Sequence, residues 1–243
     1  MVAHVTLPGL TTPLQGARVT WTPVARVIAA EYAATTIYDA LPATTGGVPR
    51  GSTPASADLL AALADFSNPV VQARYGHLDL VRPRDWVTGP GRGLVMTAFT
   101  FPGRPSRFTD GSRGAFYAGL EPATAVTEVA YHLTRQLRAN ASGDHVTEHV
   151  LLHAALDAEL VDVRPPAPAP PDLLHPTDYA PGQAFGALLR AEEADGVLYP
   201  SVRAAGGRCV AVFRPPVLTD CVPHQRLRYH WSAAADRIVR IEG

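Results

Sequence analysis

Four groups of residues in this chain of 243 have types and spacings that chemistry uses. His145, His149 and His153 recur every four residues, which on a helix would bring three imidazoles to one face, as zinc requires. Their neighbours Val146, Thr147 and Val150 are β-prone; a strand does not converge those positions, so no metal is expected. Gly89-Pro90-Gly91-Arg92-Gly93 resembles a phosphate cradle at first sight. It lacks both the Gly-Lys-Ser/Thr ending and the dinucleotide spacing, and it reads as a turn leading into a strand. Ser201 stands outside a Gly-x-Ser-x-Gly elbow, so the usual mark of a hydrolase nucleophile is missing. Glu128 sits beside an apolar helical stripe, where a carboxylate is either a rim residue or a working group. Convergence of other polar groups decides between the two, and Arg107 and Tyr117, at the edges of the elements just before its helix, are the candidates.

Composition removes several classes. All 21 basic residues are arginine, so a lysine Schiff base and a P-loop lysine are excluded. The net charge of -1, with no basic stripe, argues against direct nucleic-acid binding. No apolar stretch approaches the roughly 18 to 20 residues that span a bilayer. No basic residue precedes Arg18 and no h-region follows, so a secretory signal is not expected. Cys209 and Cys221 make a poor disulfide framework and read as reduced thiols. A cytoplasmic protein without a membrane partner is the expectation.

The elements that must position these groups are clearest in the middle of the chain. Residues 1–20 read as a lead-in, and residues 21–243 as one catalytic domain. A loop is expected at Gly46–Ser52, a short helix at Ala57–Phe66 and a strand at Leu94–Phe101. After the polar loop Arg107–Gly114 comes the strand Ala115–Ala118. A helix opens at Glu121-Pro122, because proline suits the first helical turn. Ala125, Val126, Val129, Ala130, Leu133 and Leu137 give that helix one buried face. Arg135 and Arg138 lie in its last turn, where cations suit the dipole. Val146–Val163 reads as strand, and Pro165–Pro171 as a stiff extended connector. A helix over Gln183–Glu193, strands at Gly196–Pro200 and Cys209–Phe213, and a paired-strand tail at Arg226–Glu242 complete the pattern. Strands and helices mix without regular βα alternation, so the fold class is α+β, a single domain with a mixed, split sheet flanked by helices.

Arg107-Phe108-Thr109-Asp110-Gly111, Tyr117, Thr124–Glu128 and Gly196–Arg203, in that order, resemble the RES-domain family of bacterial toxins. Tyr117 follows Arg107 by ten residues, and Glu128 follows Tyr117 by eleven. The resemblance reaches more weakly to Arg26-Val27-Ile28 and to Val212–Pro215. One departure is Pro105-Ser106-Arg107-Phe108-Thr109, where shorter members have Gly-Gly-Arg-Trp-Asn. The resemblance implies a fold similar to ADP-ribosyltransferase toxins, NAD as substrate rather than cofactor, and inorganic phosphate or water as acceptor. It also implies an Xre-type helix-turn-helix antitoxin as partner, with a homodimer inside that complex as one arrangement. The implied catalytic set is Arg107, Tyr117, Glu128 and Ser201. The implied NAD contacts are Arg107, Phe108, Tyr117, Ser201 and Arg203. Two other readings keep the same residues: transfer of ADP-ribose to a cellular protein, and a catalytically silent module that only titrates its partner.

Overall fold

The computed structural model describes residues 4–5, 14–34, 37–40, 43–45, 72, 76–141, 143–167, 169–170 and 172–243. Its spine is strand β6, His145–Asp162, paired along most of one edge with β2, Leu14–Ala29. Residues 14–20, taken from sequence as part of a lead-in, therefore belong to the longest strand pair. Short β1 (His4–Val5) flanks β2, and β3 (Thr44–Thr45) pairs separately with β4 (Val87–Thr88). The other edge of β6 is shared. Its first part takes β9 (Leu218–Ser232), which carries β10 (Arg237–Glu242), and its end takes β7 (Gly196–Pro200) in the one parallel pairing among the described strands. From β7 the order runs through β8 (Arg208–Val212) and β5 (Phe116–Gly119) back to β2, where Ala25 meets Gly119. The pairings β2-β6-β7-β8-β5 thus close a ring, with β9 and β10 as an extension.

Each face of this sheet is covered by a helix, so β6 is buried on both faces from His149 to Leu152, and from there to Leu160 buried residues alternate with more exposed ones. On one side Val150, Leu152, Ala154 and Leu156 pack with Val95, Met96 and Phe99 of a helix at Gly93–Thr100. Leu151, Leu227 and Tyr229 pack on the other against Ala125, Leu133 and Leu137 of the helix Pro122–Ala139. A third cluster joins Val161, Val197 and Ala211 to Phe185 and Leu189 of the helix Ala180–Ala191. Burial of a leucine such as Leu133, Leu137 or Leu189 contributes about 1.5–3 kcal/mol. With α1 at Ile37–Ala40, these three helices are α2, α3 and α4. The class is α+β, as the sequence indicates.

The segment Leu94–Phe101, expected as a strand, is helix α2. Six of its eight residues are buried, and a short run that is apolar all round has no period by which to tell helix from strand. Gly89–Gly93 consequently leads into a helix, yet that N-terminus is already occupied: the Gly93 N–H donates to Asp39 Oδ1 at 3.1 Å. The Pro-rich segment begins with a turn, the Ala167 N–H donating to Arg164 O at 2.9 Å, rather than running extended. Helix α4 starts at Ala180, three residues before its expected start, with Pro181 in its first turn. The expected loop at Gly46–Ser52 and helix at Ala57–Phe66 lie outside the described residues. His145, His149 and His153 sit on β6, where a strand spaces every fourth residue about 13 Å apart.

Candidate active site

Glu128 lies two turns into α3, and the start of that helix is pinned to β8. Glu121, just before the helix, accepts from Arg208 Nε at 2.8 Å and from the Arg208 backbone N–H at 3.3 Å. That pairing holds the Glu121 carboxyl below the usual carboxylate range despite its partial burial. Glu128 stands at the border of the buried stripe with its side chain 24% exposed. Its Oε1 accepts a hydrogen bond from Ser201 Oγ at 2.5 Å. Ser201 Oγ in turn accepts the backbone N–H groups of Ala204 at 2.8 Å and Arg203 at 3.1 Å. With its acceptor capacity taken by two amides, the hydroxyl proton is directed at Glu128. Ser201 therefore orients the carboxylate. Glu128 Oε2 is left facing the cleft, 4.0 Å from His132 Nε2 one helical turn on.

Arg107 is placed by α4. Gly182 and Gly186 lie one turn apart on that helix, and a Cβ at either would come within 2.3 Å of the backbone oxygen of Arg107 or Phe108. Glycine at both positions lets the loop rest on the helix backbone. Gln183 Nε2 donates to Ser106 O at 3.1 Å, and Tyr117 Oη accepts from Ser106 Oγ at 2.7 Å and from the Phe108 N–H at 3.0 Å. Tyr117 thus holds the loop by its hydroxyl while its ring lines the cleft. The Arg107 guanidinium donates to His175 O at 2.9 Å and lies over the Tyr179 ring at 4.9 Å.

Between these groups is a cleft of about 680 Å³. Arg107, Tyr117 and Glu128 share its wall, and Ser201 reaches it through Glu128. Three residues expected to contact NAD do not line this cleft: Ser201, whose hydroxyl is directed at Glu128, and two that are turned elsewhere. Phe108 is fully buried, edge-on to Tyr199 at 5.0 Å, because an apolar ring between α4 and the sheet belongs to the core. Arg203 stacks on the Tyr131 ring at 3.6 Å and donates to Pro176 O, which ties down the rim.

The structure adds residues that the sequence reading had not placed in the site. Arg26, on β2, donates to Tyr117 O at 3.1 Å and lies over the Phe116 ring at 4.7 Å. A charge inside the apolar run Val24-Ala25-Arg26-Val27-Ile28 was the available signal. His132, Arg135 and Gln136 line the cleft from the face of α3 that carries Glu128, as the four- and seven-residue steps from Glu128 foretell. Burial lowers the His132 pKa, and Arg203, Arg135 and Arg107 add to that against the opposing pull of Glu128. The Cys209 thiol, 3.9 Å from Glu128 Oε1, is pushed up to about 12 by burial and the nearby carboxylate, so it is no nucleophile at neutral pH. Among the described residues four arginines (Arg26, Arg104, Arg107 and Arg135) and one carboxylate line the cleft, which suits a polyanion.

Comparison with protein-family models matches the RES domain over residues 80–232. Among solved structures, the chain is similar to one from the crystal structure of the M. tuberculosis MbcT–MbcA toxin–antitoxin complex. The TM-score is 0.40 and the identity 15%, over 91% of this chain and 90% of that one. No curated protein matches. Among the described residues no helix is long and apolar enough to cross a membrane. The family match spans more than half the sequence and holds Arg107, Tyr117, Glu128 and Ser201 in one stretch, and the chain belongs to the RES-domain family.

Proposed function

We propose that this chain is the toxin of a bacterial toxin–antitoxin pair and that it degrades NAD by cleaving the nicotinamide–ribose bond. The observation that carries the reading is Glu128: a carboxylate oriented by Ser201 at 2.5 Å on the wall of a cleft in which arginines face it. When the C1′–N bond breaks, its electron pair leaves with nicotinamide and neutralises the pyridinium. The ribose is left as an oxocarbenium-like centre. A preoriented carboxylate stabilises positive charge where it develops without reorganising. The arginine fork of Arg107, with Arg26 and Arg104, is suited to the diphosphate. An oxygen of hydrogenphosphate then bonds to C1′ and gives a phosphorylated ADP-ribose. If water attacks instead, ADP-ribose and a proton are released. Phosphate is the acceptor we favour, with an Xre-type antitoxin as partner and the cytoplasm as compartment.

The test is product analysis of NAD incubated with purified protein, with and without phosphate, beside Glu128→Gln. Phosphate-dependent loss of NAD, reduced at least a hundredfold in folded Glu128→Gln, is the expected result. Loss that ignores phosphate makes the enzyme a hydrolase. NAD that survives with folded protein in both conditions removes the reading, and label on protein in a lysate would replace it with protein modification.

A further inference from the structure

A second cavity of about 860 Å³ lies beyond the wall formed by Arg26, Arg104, Ser106 and Tyr117, which the two cavities share. Its far side is built from β2, the turn after it, α1, α2 and the loop around Arg113. Two features set it apart from an ordinary surface hollow. Among the described residues no carboxylate lines it, and its arginines, Arg26, Arg104 and Arg113, appear in no ion pair. It also collects aromatic rings, two of them exposed: Tyr32 is 68% and Phe101 44% exposed, while Tyr38 is buried. Exposed rings beside unneutralised guanidinium groups fit a ligand with one flat face and one anionic end. A volume of this size holds a nucleoside.

We propose that this second cavity seats the purine nucleoside half of the dinucleotide, with the diphosphate crossing the shared wall at Arg26 and Arg104 and the nicotinamide half lying against Glu128. The assignment rests on the NAD reading above and adds what that reading lacks, a place for the half of the substrate that does not react. Binding energy from that half helps hold the reacting ribose at Glu128.

The test uses the full chain carrying Glu128→Gln, to stop turnover, and calorimetric titration with AMP, nicotinamide mononucleotide and NAD separately. Phe101→Ala removes an exposed ring and Thr97→Trp fills the cavity from α2; neither residue lines the Glu128 cleft. Each substitution is expected to weaken AMP binding about tenfold or more and to leave nicotinamide mononucleotide within twofold. AMP affinity unchanged in folded Phe101→Ala and Thr97→Trp overturns the assignment while the NAD reading stands. Phe101 is exposed, so that variant decides the question if Thr97→Trp does not fold. Failure of all three nucleotides to bind overturns both.

Discussion

Arginine is put to two opposite uses in this chain. Away from the cleft many of its guanidinium groups are neutralised: Arg138 by Asp236, Arg164 by Asp162, Arg208 by Glu121, and Arg214 by Asp85 and Asp195 together, while Arg92 and Arg190 are held by backbone carbonyls. Around the two cavities Arg26, Arg104, Arg107, Arg113 and Arg135 meet only carbonyls and rings, or no hydrogen-bonding or ionic partner, among the described residues. Burial depresses the pKa of Arg26, so the fold holds that charge at a cost. A neutralised arginine is architecture, because the fold itself supplies its counter-ion. An unneutralised one beside a cavity is a place where the counter-ion comes from outside. The chain's formal net charge of -1 conceals this division.

Arginine-to-methionine substitutions of matched volume break the comparison most sharply. Arg26→Met and Arg107→Met leave no carboxylate stranded, so the melting temperature should hold or rise. NAD turnover should fall about a hundredfold, the scale for a lost desolvated arginine–phosphate contact. Arg214→Met should do the reverse. It strands Asp85, whose side chain is 8% exposed, and Asp195. With Arg214 itself a third exposed, the loss is on the order of 2 kcal/mol in stability, with activity per folded molecule unchanged. Melting curves and steady-state rates on the same preparations check both. If Arg26→Met lowers stability as much as Arg214→Met does, the two uses are one.

Local chemistry decided what could be read before the fold was known. Glu121-Pro122 is a helix start in any context, and the stripe from Ala125 to Leu137 identified the face of α3 that the structure buries. Arg107, Tyr117 and Glu128 could be paired from one stretch because a loop, a strand and a helix that follow one another pack as neighbours. Long-range facts were out of reach. Nothing near Phe108 signals that glycines on α4, more than seventy residues on, draw its loop down and its ring into the core. Arg26 lies ninety-one residues from Tyr117, and its role appears only once β2 closes the ring against β5. Helix α2 was misread because its burial is uniform.

Ser201 refines the inner half of the comparison with a smaller effect. Because its hydroxyl acts on Glu128 rather than on a ligand, Ser201→Ala should lower kcat about tenfold, or ~1.4 kcal/mol of barrier, with KM little changed. Ser201→Thr, which keeps the hydroxyl, should recover part of that loss. A rise in KM at constant kcat would instead make Ser201 a direct contact of the substrate. Melting temperature serves as the control, since a single side-chain hydrogen bond is worth only about 1 kcal/mol to the fold.

The smallest effect belongs to the outer region, where a histidine lacks a counter-ion. His149 is buried against Tyr229 at 4.8 Å, and among the described residues its Nδ1 has no hydrogen-bond partner. Burial lowers its pKa below the ordinary 6.5, so the folded chain keeps the ring neutral. Above pH 7 the ring is neutral folded or unfolded and does not contribute. As the pH falls through 6.5, the unfolded chain takes up a proton that the folded chain refuses, so stability declines until the folded pKa is passed. The paired carboxylates Glu121, Glu193 and Glu242 have depressed values. They withdraw their stabilisation only below about pH 4, so the interval from pH 7 to 5 reports on histidine. His149→Phe should therefore shrink the drop in Tm across that interval, by an amount that His153, also depressed by burial, limits. An unchanged drop would place the acid sensitivity at His153 or at His132 in the cleft, and a bound anion, favouring the His132 imidazolium, would reduce only the latter.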